Sequence, residues 1–372
     1  MQNFNKNFTL FLILFIITPL FSFITAVVDV SVFVSDDIYT AEVMAVSAEE
    51  RRTVIPLGTA VGVDIDMRGV KVVEVGNLVD ENNKTRSPAR DAGIRAGDNI
   101  VRVNGIDVQS VEDVTGIINE QADDVEFTSI EFEIERQNKS LNITVEPKRS
   151  NDDGELRIGA WVKDSTSGIG TLTFYDPENS TFGALGHGIT DGNGEPINIE
   201  GGSILNSTVV SVTRSERGQI GELRGIFLEG GRELGEIKVN NNQGLYGTLD
   251  KERLDLHSSE EMPVARKNEI RTGRAQILSN IESVRVEAFD IEIQRINRNT
   301  TDNTKEMVIR ITDDELLSRV GGIVQGMSGS PIIQNDSVVG AVTHVFVNDP
   351  TRGYAISIES MLENTCILPA ER

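Results

Sequence analysis

Gly321-Gly322-Ile323-Val324-Gln325-Gly326-Met327-Ser328-Gly329-Ser330-Pro331-Ile332-Ile333 is the stretch on which the reading of this chain turns. Its Gly-x-Ser-Gly-x-Pro core lets a serine protrude from a tight loop. In such a loop the amides of the serine and of the glycine two residues earlier can converge on one point, where they stabilise an oxyanion. Gly326 and Ser328 are the donors, with Ser328 the nucleophile. Ser330 is the runner-up, but Pro331 after it fixes the backbone and removes an amide.

A serine hydroxyl needs a base, usually a histidine oriented by a carboxylate. The chain has three histidines. His187 lies in Phe182-Gly183-Ala184-Leu185-Gly186-His187-Gly188-Ile189-Thr190, where flanking glycines leave its ring reachable. His257 sits in a charged stretch and His344 inside a strand pattern. Many carboxylates lie between 187 and 328, including Asp191, Asp250, Asp255, Asp290, Asp302, Asp313 and Asp314, and spacing alone does not choose among them.

The chain has 372 residues, too long for one ordinary domain. Lys+Arg 35 against Asp+Glu 58 gives a net charge of −23, which argues against nucleic acid and anionic lipid as main partners. One cysteine, Cys366, excludes a disulfide framework and a multi-cysteine metal site, and no His-Glu-x-x-His motif occurs. No metal or other cofactor is expected.

Residues 8–28 carry no charge and are long enough to cross a bilayer, so a transmembrane helix or uncleaved signal anchor is expected there. Lys6 before it and Asp29, Asp36 and Asp37 after it place residues 1–7 in the cytoplasm and the bulk outside. Residues 29–55 read as a linker.

From 56 to 148 the pattern is that of a small α+β domain. Period-2 runs at Val61–Asp66 and Gly69–Val75 read as strands, and Val111–Glu120 as a helix with Val114, Ile117 and Ile118 on one face. Ser87-Pro88-Ala89-Arg90-Asp91-Ala92-Gly93-Ile94-Arg95-Ala96-Gly97-Asp98-Asn99-Ile100-Val101-Arg102-Val103-Asn104-Gly105 resembles the PDZ signature, with Asn104-Gly105 a type I′ turn. PDZ domains add an extended peptide as a strand and capture its carboxylate on backbone amides. Leu57-Gly58-Thr59-Ala60, ahead of the first long strand, is expected to be that binding loop. Residues 152–368, with short apolar runs between Gly, Asn and Asp, read as an all-β barrel or sandwich.

The segments Phe182–Thr190 and Ile311–Pro350, and the order membrane segment, PDZ, second domain, resemble the stage IV sporulation protein B peptidase family. That resemblance implies a mainly β protein with a chymotrypsin-like double β-barrel peptidase domain preceded by a PDZ domain. Carried over by position, it puts the catalytic histidine on His187, the serine on Ser328 and the aspartate on Asp313, with Asp314 adjacent. Met327 replaces the aspartate usual in chymotrypsin-like enzymes. The resemblance also implies a membrane-tethered endopeptidase, gated by its PDZ domain. It would cut itself and a membrane-anchored regulator, the inhibitor subunit of an intramembrane protease complex, in the intermembrane space of a sporulating cell. Its PDZ ligand would be its own N-terminal segment or a partner's tail. Two other readings stand beside it: an inactive PDZ adaptor, and a Ser–Lys processing peptidase with Lys251, Lys267 or Lys305 as base.

Overall fold

The computed structural model describes residues 28–34, 37–43, 51–120, 129–137, 139–191, 194–227, 233–253 and 260–366. The expected membrane span, 8–28, lies outside them except for its last residue. Among the described residues no helix is long and apolar enough to cross a membrane. The chain divides into two units, Met1–Arg51 and Arg52–Arg372. In the first, β1 (Val28–Val34) and β2 (Asp37–Val43) pair antiparallel from Val28↔Val43 to Val34↔Asp37. The alternating segment expected to be a linker is therefore a hairpin in part.

The second unit begins with β3 (Thr53–Pro56) and the 16-residue β4 (Ala60–Val75). There follow α1 (Pro88–Ala92), β5 (Asn99–Val103), α2 (Val111–Glu120), β6 (Ile130–Arg136) and β7 (Lys139–Val145). Then comes the 17-residue β8 (Ala160–Asp176), with β9 (Thr181–Ala184), β10 (Ile199–Thr213), β11 (Glu222–Phe227), β12 (Glu233–Asn241) and β13 (Gly244–Leu249). The strands β4, β10, β12, β13, β9 and β8 hydrogen-bond in that order, and pairing of β8 back onto β4 closes them into a six-stranded barrel.

A second closed barrel is contiguous in sequence. It comprises β14 (Gly273–Glu282), β15 (Arg285–Ile296), β16 (Met307–Ile311), β17 (Pro331–Gln334), β18 (Ser337–Phe346) and β19 (Asp349–Ser357). The helix α3 (Asp314–Val320) sits between β16 and β17, and α4 (Ile358–Thr365) ends the described chain. Ile358, Met361 and Leu362 of α4 pack with Phe174 and Tyr246 of the first barrel and Val338, Ala341 and Ile356 of the second, so the helix fastens the two together.

The small α+β domain is therefore inserted into the first barrel rather than placed before it. Lys71 and Val70 of β4 pair with Asn99 and Ile100 of β5, while Ala60–Asp66 of the same strand pair with Thr171–Ser165 of β8 in the barrel wall. Val70, Val72, Ile100, Val114, Ile118, Phe132 and Ile134 fill the inserted core. Ile117 also joins this core, so the expected apolar face of α2 is the buried one. Asn104 and Gly105 both have positive φ (51° and 77°), in keeping with the hairpin turn expected there.

The expected peptide-binding loop needs correction. Leu57 is 6 % exposed and belongs to the first barrel's core with Val61, Ile65, Leu172 and Phe182. The Leu57 and Gly58 amides donate to the Thr173 and Leu172 carbonyls at 3.0 and 2.9 Å, and the Thr59 carbonyl accepts from Leu172. The Ala60 carbonyl accepts from Ser207 Oγ. A β-pattern read locally assigns these residues to the nearest strand-rich domain, but their partners lie more than a hundred residues away.

Candidate active site

His187 follows β9 of the first barrel, and Ser328 precedes β17 of the second. Both line one cleft of about 1070 Å³, together with Gly326, Thr343, His344 and residues 166–169 of β8. The two turns touch through backbone. A Cβ on Gly329 would lie 2.3 Å from the Thr171 carbonyl oxygen and 2.5 Å from the Leu185 nitrogen, so only glycine lets the serine turn close on the histidine turn. Met327 is fully buried in the second barrel's core and anchors the turn from below.

The Gly326 and Ser328 N–H groups have no acceptor among the described residues, although their neighbours do: Met327 donates to Val324, Gly329 to Val342 and Ser330 to Met327. The Gln325 carbonyl accepts from Leu223 N–H at 2.8 Å. In a trans peptide the following N–H points the opposite way, so this bond turns the Gly326 amide away from Leu223. The Gly326 carbonyl in turn accepts from Thr171 Oγ1 at 2.6 Å. Strands of both barrels thus set the orientation of the turn.

His187 Nδ1 lies 2.9 Å from the Gly188 carbonyl. A carbonyl only accepts, so Nδ1 carries the proton and Nε2 presents its lone pair. Burial is the main force pushing the imidazole down to about 4, with His344 adding to it and the Gly188 carbonyl opposing. His344, edge-on to His187 at 4.8 Å between ring centroids, is also held below the ordinary histidine value, chiefly by desolvation. Asn240 fastens the histidine loop: its side chain accepts from Ile189 N–H and donates to the Ile189 and Ile197 carbonyls, each at 2.9 Å. Ser328 Oγ donates to the Thr343 carbonyl at 2.7 Å.

The expected aspartate is placed elsewhere. Asp313 caps α3: Oδ1 accepts from Leu316 N–H at 2.9 Å and Oδ2 from Asp290 N–H at 3.2 Å. Neither Asp313 nor the exposed Asp314 lines the cleft. The group at Nδ1 is the Gly188 carbonyl, while the Asp313 carboxylate is occupied by the start of α3 and by the Asp290 backbone. Ser330 is fully buried and donates to Ser279 Oγ. Lys267 and Lys305 pair with Glu306 and Asp302, and Lys251 is exposed; none of the three lines the cleft. His257 lies outside the described residues. Sequence reasoning missed Thr171, Leu223, Asn240 and Thr343: the first three act through contacts 51 to 155 residues away, and Thr343 through a backbone carbonyl that carries no residue-type signal.

The inserted domain holds its own unpaired donors. The Ile158 and Gly159 carbonyls accept from Ala89 and Gly76, but their N–H groups have no acceptor among the described residues. Gly159 has φ +71°, the left-handed turn that aims successive amides at one point. These donors stand at the start of β8. The helix α2 is fastened alongside at both ends: Asn119 bonds the Leu156 backbone, and Val111 N–H donates to Asp164 Oδ2 at 2.8 Å.

A cleft between two six-stranded barrels, with an imidazole from one and a serine turn from the other, is the arrangement of the double-barrel serine peptidases. The family model described as SpoIVB peptidase S55 matches residues 154–362, more than half of the chain, and a PDZ domain model matches 81–128. The chain belongs to the SpoIVB peptidase S55 family and carries a PDZ domain. It is similar to the solved structure "HtrA-type protease AlgW with decapeptide" at 20% identity and a TM-score of 0.27, over 46% of this chain and 53% of that one. It therefore spans about half the length of that protease. No curated protein matches.

Proposed function

We propose that the chain is a membrane-tethered serine endopeptidase with Ser328 as nucleophile, His187 as base and the Gly326 and Ser328 amides as oxyanion donors. The unpaired amides facing a cleft that also holds a lone-pair imidazole carry this reading. The Ser328 hydroxyl leaves the Thr343 carbonyl and gives its proton to His187 Nε2 as Oγ bonds the substrate carbonyl carbon. The oxyanion is held by the two amides. The C–N bond then breaks as the proton passes to the leaving amine, and water repeats the sequence to free the acid. The Gly188 carbonyl keeps the ring in the required tautomer.

The family membership, the uncharged run 8–28 and the PDZ insertion favour a substrate that is itself held at a membrane. The reading extends to an extracytoplasmic location in a sporulating cell, to the inhibitor subunit of an intramembrane protease complex as target, and to self-cleavage between 29 and 55. Confinement to one membrane face raises the effective concentration of enzyme and substrate. Mass spectrometry of full-length protein incubated with unfolded casein tests it. Wild type should give casein fragments and a shortened N-terminus, while Ser328→Ala and His187→Ala give neither. An equal yield of fragments from Ser328→Ala would end the proposal.

A further inference from the structure

The strand β8 runs without a break from the unpaired amides of the PDZ domain to the serine turn. On one edge Ala160–Thr171 pair with β4; on the other edge β9 begins to pair only at Leu172. Residues 160–169 therefore present an open sheet edge among the described residues. Its near end abuts the Ile158 and Gly159 amides, and its far end, residues 166–169, lines the cleft that holds Ser328. Unpaired edges take up extended peptides, and N–H pairs in a left-handed turn take up carboxylates.

We infer that this edge is a measuring track for substrate tails. A polypeptide whose C-terminal carboxylate is held by Ile158 and Gly159 can leave that site only along β8, antiparallel to it, and the track delivers it to Ser328. Strand pairing is residue against residue, and Gly159 to Thr171 is a run of about 40 Å at ~3.3 Å per residue. Two register irregularities, at Trp161/Val162 and Lys163/Ser165, shorten the count slightly. Cleavage then falls at a fixed place about ten to twelve residues from the substrate's C-terminus, whatever the side chains there. Lys163 is exposed on this strand, which favours acidic tails. The Asp164 bond to α2 crosses the path, so a long tail has to displace it. This inference rests on the peptidase reading and adds to it where the enzyme cuts.

Full-length protein and casein carrying C-terminal extensions of three or six Gly/Ser residues test it. The C-terminal cut should move outward by the length of each extension, and amidation of the terminus should lower kcat/KM at least tenfold. Asp164→Ala should lower KM for every tail that runs the track and leave the place of the cut unchanged. A cut that stays at one casein sequence as the tail grows overturns the track. A second measurement separates it from the chemistry: hydrogen exchange of Ser328→Ala with a twelve-residue Gly/Ser/Glu peptide at saturating concentration. Protection over 158–169 supports the track even if no cleavage is ever seen, and protection confined to 158–163 overturns it.

Discussion

The two barrels hold the same number of strands but are encoded differently. The second is written in one stretch, Gly273–Ser357, with no other domain set into it. The first is assembled from Thr53–Asp66 and Ser165–Leu249, with the PDZ domain between them. The shared strands leave the barrel wall near the pairing Ser165↔Asp66 and stay paired out to Ala160↔Val75 inside the inserted domain. An inserted domain whose two ends leave the host as neighbouring strands costs the host little, because the strands pair whether or not the loop beyond them is long. The difference teaches that the barrel carrying His187 needs residues far upstream of the peptidase match to close, whereas the barrel carrying the serine turn closes on a single stretch of chain.

Removing residues 53–65 should break this comparison most severely. The first barrel then loses the β4 wall, and cooperative unfolding by circular dichroism should vanish along with activity. Replacing 76–159 by a two-residue Asn-Gly turn should instead preserve a folded, two-barrel protein, since Val75 and Ala160 are direct partners. Next in size, Ser328→Ala should lower kcat/KM by at least ~10³-fold with an unchanged melting temperature, measured on a peptide substrate. Leu57→Ala should cost roughly 2–5 kcal/mol in denaturant unfolding, as a core truncation does, and leave peptide affinity for the PDZ domain intact. A peptide-binding loop at 57–60 would give the reverse.

Asp313→Ala should cost about 0.5–2 kcal/mol of stability through the lost helix cap and leave kcat/KM unchanged. A loss approaching ~10⁴-fold, the effect of removing an orienting aspartate, would restore Asp313 to the site. The smallest effect is in pH. The folded His187 sits at about 4, below its ordinary 6.5, so the unfolded chain takes up this proton first. Its contribution to stability is present above pH 6.5 and is lost as pH falls through 6.5 toward 4. The acid limb of kcat/KM should likewise lie near pH 4, and His187→Ala should remove the stability term in acid titration.

Much of the site was legible because its chemistry is local. Gly326, Ser328 and Gly329 form one turn, and the glycines beside His187 mark a ring meant to be reached. Asp313 was misread for an equally local reason: an aspartate just before Asp314-Glu315-Leu316 looks the same in sequence whether it caps a helix or orients an imidazole. The Leu57–Ala60 turn looked like a PDZ loop because glycine before an apolar strand is common to both folds. The unpaired Ile158 and Gly159 amides, the inferred carboxylate site, lie past residue 148, where that domain was expected to end.

By itself, the sequence determined the local grammar of this protein: the tight Gly326–Gly329 turn, the helix α2 with its apolar face, the Asn104-Gly105 hairpin and the β-rich character of both halves. Each follows from side-chain period or backbone freedom within a few residues. Only the tertiary structure decided that β4 and β8 serve two domains at once, that a carbonyl faces His187, and that an open edge runs from the Ile158 and Gly159 amides to the cleft lined by Ser328. The shared strands and the open edge depend on pairings between residues 85 to 111 positions apart, and the His187 ring finds its neighbouring carbonyl only because the surrounding loop is folded; no short-range pattern encodes either.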